Sequence, residues 1–228
     1  MHEQYAIELK GITKTFGSVV ANSNINLNVR PGEILALLGE NGSGKTTLMN
    51  MLSGIYQPDS GEILVDGNRV SITSPEDSKR LGIGMVHQHF KLVDVFSAAD
   101  NIWMSKEKAG LFLKKDRYAE IEEMAVKFGF EIDPRKKVYN MSVSEKQTLE
   151  IVKVLYHGAR IIILDEPTAV LTVQEIEKLC NVLRRMKEEG HSIIIITHKL
   201  NEVMDISDRV AILRKGEYIT TVNTCETN

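Results

Sequence analysis

The plainest chemistry in the chain sits in nine residues, Gly39-Glu40-Asn41-Gly42-Ser43-Gly44-Lys45-Thr46-Thr47. They match G-x-x-x-x-G-K-S/T, a loop that cradles the phosphates of a nucleotide. Glycines at 39, 42 and 44 let the backbone enter the left-handed region, so that its N–H groups approach an anion with no Cβ in the way. Lys45 is suited to reach the β- and γ-phosphates as a mobile charge, and the Thr46 hydroxyl to ligate Mg²⁺. Asn41, Ser43 and Thr47 complete the phosphate-binding run. A glycine-rich turn that binds nothing is the competing explanation, and the flanks weigh against it. Ile34-Leu35-Ala36-Leu37-Leu38 has the continuous apolar character of a strand buried on both faces, and Thr46 to Leu52 runs without helix breakers. A helix starting there would add partial positive charge at the phosphates.

Two further apolar runs end in polar residues. Ile161-Ile162-Ile163-Leu164 delivers Asp165-Glu166, and Ile193-Ile194-Ile195-Ile196 delivers Thr197-His198. Sites in open parallel sheets form at the carboxyl ends of the strands, beside a P-loop when one is present. There Asp165 would partner Mg²⁺, and Glu166 would orient or deprotonate a water attacking the γ-phosphate. The alternative is that both carboxylates only cap and solvate a loop. His198 would offer an imidazole N–H to the γ-phosphate. His87 and His89 could share one face of an extended segment, but no third metal ligand lies at a useful spacing.

These residues need a frame, and the rest of the chain predicts one. Ile7 and Leu9 alternate with charged residues, while Ile25, Leu27 and Val29 alternate with asparagines, so both segments read as half-buried antiparallel strands. Asp66-Gly67 follows the strand Ile63 to Val65 as a hairpin turn, and Ser74-Pro75 starts a helix before the strand Ile83 to Val86. Helical runs cover Ala98 to Lys106, Asp116 to Phe128 and Val143 to Tyr156, punctuated by Gly110 and Asp133-Pro134. Beyond them strand and helix alternate again, with a helix from Val173 to Glu189 and strands reaching Val222. The predicted fold class is α/β: a P-loop NTPase with a largely parallel, doubly wound core sheet, an N-terminal antiparallel β subdomain and a helical insertion. One domain over 1–228 is expected, with core at 1–90 and 157–228 and a helical subdomain at about 91–156.

The 228 residues are 43% hydrophobic, enough for a sizeable core, and the net charge of −3 lacks the basic footprint of nucleic-acid binding. Cys180 and Cys225 have no C-x-x-C spacing, which suits a reducing cytoplasm better than a disulfide framework or zinc ribbon. No signal-peptide core or membrane-length apolar run is visible, so a membrane role would be peripheral.

Taken in order, the motifs resemble the nucleotide-binding cassette of ATP-binding cassette (ABC) transporters along nearly the whole chain. The resemblance implies that Phe16 stacks on adenine, that Gly39 to Thr46 is Walker A, and that Gln88 is the Q-loop glutamine, near the nucleotide and its metal. It identifies Met141-Ser142-Val143-Ser144-Glu145 as the signature, which grips the γ-phosphate bound by an opposing cassette. Asp165-Glu166 becomes Walker B with its catalytic glutamate, Ala169 to Thr172 the D-loop, and His198 the switch histidine. Within the family, Met85-Val86-His87-Gln88-His89-Phe90 and Asp165 to Thr172 look like importers of simple sugars and nucleosides.

The implied function is that of an ATPase subunit at the inner face of the cell membrane, with ATP and Mg²⁺ sandwiched between two cassettes. The second cassette would be the C-terminal half of the same polypeptide or a dimer partner. Permease subunits, and indirectly a solute-binding protein, are the other implied partners. The chain stops just after one cassette, as the N-terminal half of a tandem protein would. Two readings compete: a soluble ABC-type ATPase acting on nucleic acid, and a regulatory cassette with weak turnover. The signature departs from Leu-Ser-Gly-Gly-Gln, with Ser144 at the second glycine. Ser142-x-x-Glu145 also reads as a capping box at a helix start.

Overall fold

Two kinds of strand pattern produce two sheets. The computed structural model describes residues 4–104 and 114–226. The alternating segments form β1 (Ile7–Phe16) and β2 (Val19–Val29), which pair antiparallel. They are followed by β3 (Ile34–Leu38), α1 (Lys45–Leu52), and the hairpin of β4 (Ser60–Val65) with β5 (Asn68–Val70). Since β4 also pairs antiparallel with β1, the first sheet runs β2-β1-β4-β5.

The continuous apolar runs build the second sheet. After α2 (Pro75–Arg80) come β6 (Ile83–Val86), α3 (Ala98–Trp103), α4 (Lys114–Phe128) and α5 (Val143–Tyr156). The chain then forms β7 (Ile161–Asp165), α6 (Val173–Glu188), β8 (Ser192–Thr197), α7 (Leu200–Ile206), β9 (Arg209–Arg214) and β10 (Glu217–Asn223). The order is β10-β9-β3-β8-β7-β6, parallel throughout except for β10 against β9. The fold expected from the sequence is therefore present. The predicted helical continuation to Lys106, and Gly110, lie outside the described residues.

Burial on both faces explains why the interiors of the central strands β3, β7 and β8 are apolar. On β7, Ile161 and Ile163 pack toward α1 and the antiparallel sheet, while Ile162 and Leu164 pack toward α3, α4, α5 and α6. β8 divides the same way, with Ile194 and Ile196 on the first side and Ile193 and Ile195 on the second. Helix starts are fixed locally. Ser97, Ser142 and Thr172 each cap a helix while an acidic residue three positions on, Asp100, Glu145 or Glu175, bonds back to the cap N–H. Ser74 caps α2, with Pro75 inside its first turn.

Leu164 is fully buried, one residue before Asp165. Leu164→Ala should lower unfolding free energy by about 2–5 kcal/mol through lost burial and a residual cavity. Val126→Ala on the exposed face of α4 should stay within about 0.5 kcal/mol. Urea denaturation followed by circular dichroism would measure both; equal small effects would place Leu164 outside the core.

Candidate functional site

Four strands deliver the site from one edge of the parallel sheet. β3 ends in the glycine-rich loop, β8 lies beside it and ends at Thr197-His198, β7 follows and ends at Asp165-Glu166, and β6 is outermost and leads to Gln88. The sequence alone set the carboxylate strand at the same edge, without showing that β8 separates it from the P-loop strand. This order puts His198 between the phosphate loop and the two carboxylates.

In the loop, Gly42 and Gly44 adopt φ of 80° and 96°. Gly44 is also sterically obligatory, since a Cβ there would collide with the Ala21 carbonyl and the Asn22 side chain. Lys45 is buried, and its Nζ folds back to donate to the carbonyls of Gly39 at 2.6 Å and Glu40 at 2.9 Å. Ser43 is buried too, with its hydroxyl oxygen unpartnered among the described residues. Asn41 and Gly39 lie in the same turn, and Thr46 and Thr47 open α1.

Thr46 Oγ1 lies 3.5 Å from Asp165 Oδ1, which brings two of the predicted metal ligands together across the sheet. Burial pushes the Asp165 carboxyl above the usual carboxylate range; Glu166 adds to the shift, while the Thr46 hydroxyl and the Lys45 charge oppose it. Burial also lowers the Lys45 ammonium, against the pull of Glu166 and Asp165. Gln88, the third predicted metal ligand, stands two residues beyond Val86, which pairs with Leu164. Gln88 and Glu166 each lie two residues beyond this paired position, past the ends of the adjacent strands β6 and β7.

Glu166 is the most informative residue. Its backbone is left-handed, φ 49°, an unusual state for a non-glycine residue, held by a 2.9 Å bond from its N–H to the Ile196 carbonyl. Its Oε1 lies 2.9 Å from His198 Nδ1, while its Oε2 is buried and unpartnered among the described residues. One oxygen is therefore oriented by histidine and the other is a buried acceptor with no partner among the described residues. The imidazole remains half exposed.

Phe16 ends β1 with its ring 42% exposed. Tyr56 meets it edge-on, with ring centroids 5.1 Å apart, and Lys14 Nζ lies 5.4 Å from the ring centre. Lys14 pairs across the sheet with Asn22, so Phe16 lies two residues further along the strand that flanks the loop. Its open face is available for stacking. Tyr56 is a neighbour that sequence reasoning missed.

Asn22 was missed for a clearer reason. Simple alternation puts the asparagines of β2 on the exterior, yet Asn22 is fully buried and its Nδ2 donates to the Gly44 carbonyl at 3.2 Å. A bulge at Asn24, φ 50°, resets the register and turns Asn22 inward. No period-2 count would find it.

The predicted signature residues are not brought to this P-loop. Ser142 caps α5, Val143 is exposed, and Glu145 accepts from Ser142 N at 2.8 Å and from Lys136 Nζ at 2.6 Å. The bonds of residues 142–146 run to Lys136, Asp94 and their own helix turn, with none to residues 39–47 among the described residues. His87 is likewise not a free ligand. Lys91 Nζ lies 2.8 Å from its Nε2, and burial, with the Lys91 and Lys153 charges, drives its pKa down to about 4, so the imidazole is a neutral acceptor.

The sequence profile of the ABC transporter family matches residues 22–169. The chain is 52% identical over 227 residues to the guanosine import ATP-binding protein NupO of Bacillus subtilis, covering 99% of this chain and 44% of that protein. It is 46% identical to the nucleoside import ATP-binding protein NupA of Lactococcus lactis, covering 97% of this chain and 44% of that one. The chain thus spans less than half the length of these curated relatives. Among solved structures, the dimeric structure of a bacterial ABC transporter cassette superposes with a TM-score of 0.83 at 27% identity, covering 96% of this chain and 98% of that one. No helix among the described residues is long and apolar enough to cross a membrane.

Because the Asp165 pKa is raised on folding, its ionised form costs stability above the folded-state pKa. That cost fades as pH falls through the folded value and is gone below the unfolded one. Asp165→Asn should therefore raise the urea midpoint of the ligand-free chain at pH 7, with the gain shrinking toward pH 4. A lower midpoint at pH 7 would mean that the charge stabilises the empty site.

Proposed function

The chain belongs to the ABC transporter family, and on that premise we propose that it is an ATP-binding and ATP-hydrolysing cassette that energises an importer. The solute class we assign is nucleosides, with simple sugars the neighbouring alternative. Support comes from the two relatives named for guanosine import and nucleoside import. We further propose that residues 1–90 with 157–228 act as the catalytic core and about 91–156 as a helical subdomain. Permease subunits at the inner membrane face, and a solute-binding protein acting through them, are the proposed partners.

In this reading ATP lies along the loop with adenine on Phe16 and its phosphates over residues 39–47. The lysine would exchange its two loop carbonyls for phosphate oxygens, one set of hydrogen-bond acceptors for another. Thr46, Asp165 and Gln88 offer hard oxygen donors that fit Mg²⁺, and the first two are already adjacent. When bound, the ion would supply charge neutralisation for the phosphates.

The observation that carries the hydrolytic assignment is the divided Glu166 carboxylate. His198 fixes Oε1, so Oε2 can accept the proton of a water aimed at the γ-phosphate. The same imidazole, at the end of β8 next to the phosphate-loop strand, would offer an N–H to that phosphate. Signature residues Ser142, Val143, Ser144 and Glu145 would complete a site on a second cassette rather than this one. The dimeric relative supports a paired arrangement.

Two outcomes follow from this chemistry. Glu166→Gln should cut phosphate release by roughly 100- to 10,000-fold while leaving ATP affinity unchanged, because the base is lost and the phosphate cradle is not. Phosphate release at near-parent rate would end the general-base role. Specific activity of the unmodified chain should climb with protein concentration, as two half-sites must meet. Fast hydrolysis independent of concentration would contradict the composite site.

A further inference from the structure

One fully buried amide contributes little to the fold. Asn22 has its Oδ1 buried without a hydrogen-bond partner among the described residues, while its Nδ2 donates to the Gly44 carbonyl at 3.2 Å. That carbonyl already accepts from Leu48 N at 2.9 Å, the first bond of α1. It does not need a second donor. The amide cannot be turned round either, since a carbonyl only accepts and must face the NH₂ group. An apolar side chain of similar size would orphan no oxygen here, so the stability of the chain does not call for asparagine.

What the amide does control is a peptide plane. Gly44 is the N-cap of α1, at φ 96°, and a Cβ on it would lie 2.6 Å from Asn22 Nδ2. A trans peptide points its carbonyl and its N–H in opposite directions, and no peptide among the described residues is cis. With the Gly44 carbonyl drawn toward Asn22, the Lys45 N–H faces away from it, in the first turn of α1, where N–H groups have no intrahelical acceptor. The preceding peptide is held in the same manner. Ser43 O accepts from Gly216 N at 3.1 Å and Gly216 O accepts from Ser23 N at 2.7 Å, so the turn between β9 and β10 is clamped between β2 and the loop. Two adjacent residues of β2 thus brace two consecutive loop carbonyls, Asn22 through its side chain and Ser23 through Gly216. The bulge that turns Asn22 inward is itself pinned, with Asn24 N donating to Thr13 Oγ1 at 3.0 Å.

We infer that Asn22 is a positioning residue for phosphate binding, acting through the Gly44 peptide to aim the Lys45 N–H at the phosphates before they arrive. This rests on the reading of residues 39–47 as the nucleotide site. A donor already aimed gives up no rotational freedom on binding. The orphaned Oδ1 is the stability cost of that preparation.

The test uses ADP with Mg²⁺, which has no γ-phosphate to lose. Asn22→Leu removes the donor and the orphaned oxygen together. Calorimetric titration should show roughly fivefold weaker ADP binding, the worth of one hydrogen bond, while the urea midpoint without nucleotide stays level or rises. Asn22→Ala lacks the donor without adding bulk and should weaken ADP to a similar extent. In ¹H–¹⁵N spectra, ADP should displace the Gly44 and Lys45 amides of the unmodified chain. In both variants the Lys45 displacement should shrink and the Gly44 displacement, braced by Gly216, should persist. Unchanged ADP affinity, a loss confined to leucine, a lower midpoint with leucine, or an equal loss of both amide displacements would each overturn the role of Asn22. Gly44 and Lys45 amides unmoved by ADP in the unmodified chain would instead overturn the nucleotide site itself.

Discussion

The arrangement depends on holding one cation and two carboxylates together where water is scarce. Burial works against the charge of Lys45 and of Asp165 alike, and each is partly relieved by the other. Neither could be kept charged in such a place by a loose scaffold, because an unpaired buried charge would neutralise or drag water in. The parallel sheet supplies the rigidity. β3 and β7 are apolar up to their ends and β8 is apolar between Ser192 and Thr197, and they then release Lys45 through the loop, Asp165-Glu166, and His198 at one edge. A bound polyphosphate with its divalent ion fits the same balance, with Lys45 turning toward the former and Asp165 toward the latter.

The second organising feature is α5, which links two distant functions in one rigid element. Its first turn carries Ser142 to Glu145. Two turns later Glu150, almost fully buried, accepts from Lys91 N at 2.6 Å and pairs with Lys153 at 2.7 Å. Lys153 in turn donates to the Lys91 carbonyl at 3.1 Å. The segment just after Gln88 is therefore clamped to the helix that Ser142 caps. Displacement of residues 87–91 would be felt at Ser142 through about two helical turns of continuous hydrogen bonding. Coupling of this kind needs no long chain of inference, only a helix that does not bend.

The fold was largely legible because its strands announce themselves by period. β3, β6, β7 and β8 sit where continuous apolar runs predicted, and the Ser142-Glu145 capping box started α5 where sequence placed it. Residues whose chemistry is carried by type, such as Lys45 and Asp165, were equally visible. What escaped were residues defined by geometry alone. Asn22 was hidden by a bulge that inverts alternation, and the left-handed backbone of Glu166 has no sequence signal in a non-glycine residue. Tyr56 meets Phe16 only through tertiary packing. The insertion of β8 between β3 and β7 is a matter of strand order, which local pattern does not encode.

The most direct measurement of the composite-site claim is a high-resolution structure of the Glu166→Gln chain with ATP and Mg²⁺. The predicted result is a γ-phosphate touched by Lys45 and His198 of one chain and by Ser142 of a second cassette, with a water between residue 166 and the phosphorus. A γ-phosphate enclosed by residues of a single chain, or nucleotide bound away from residues 39–47, would contradict it.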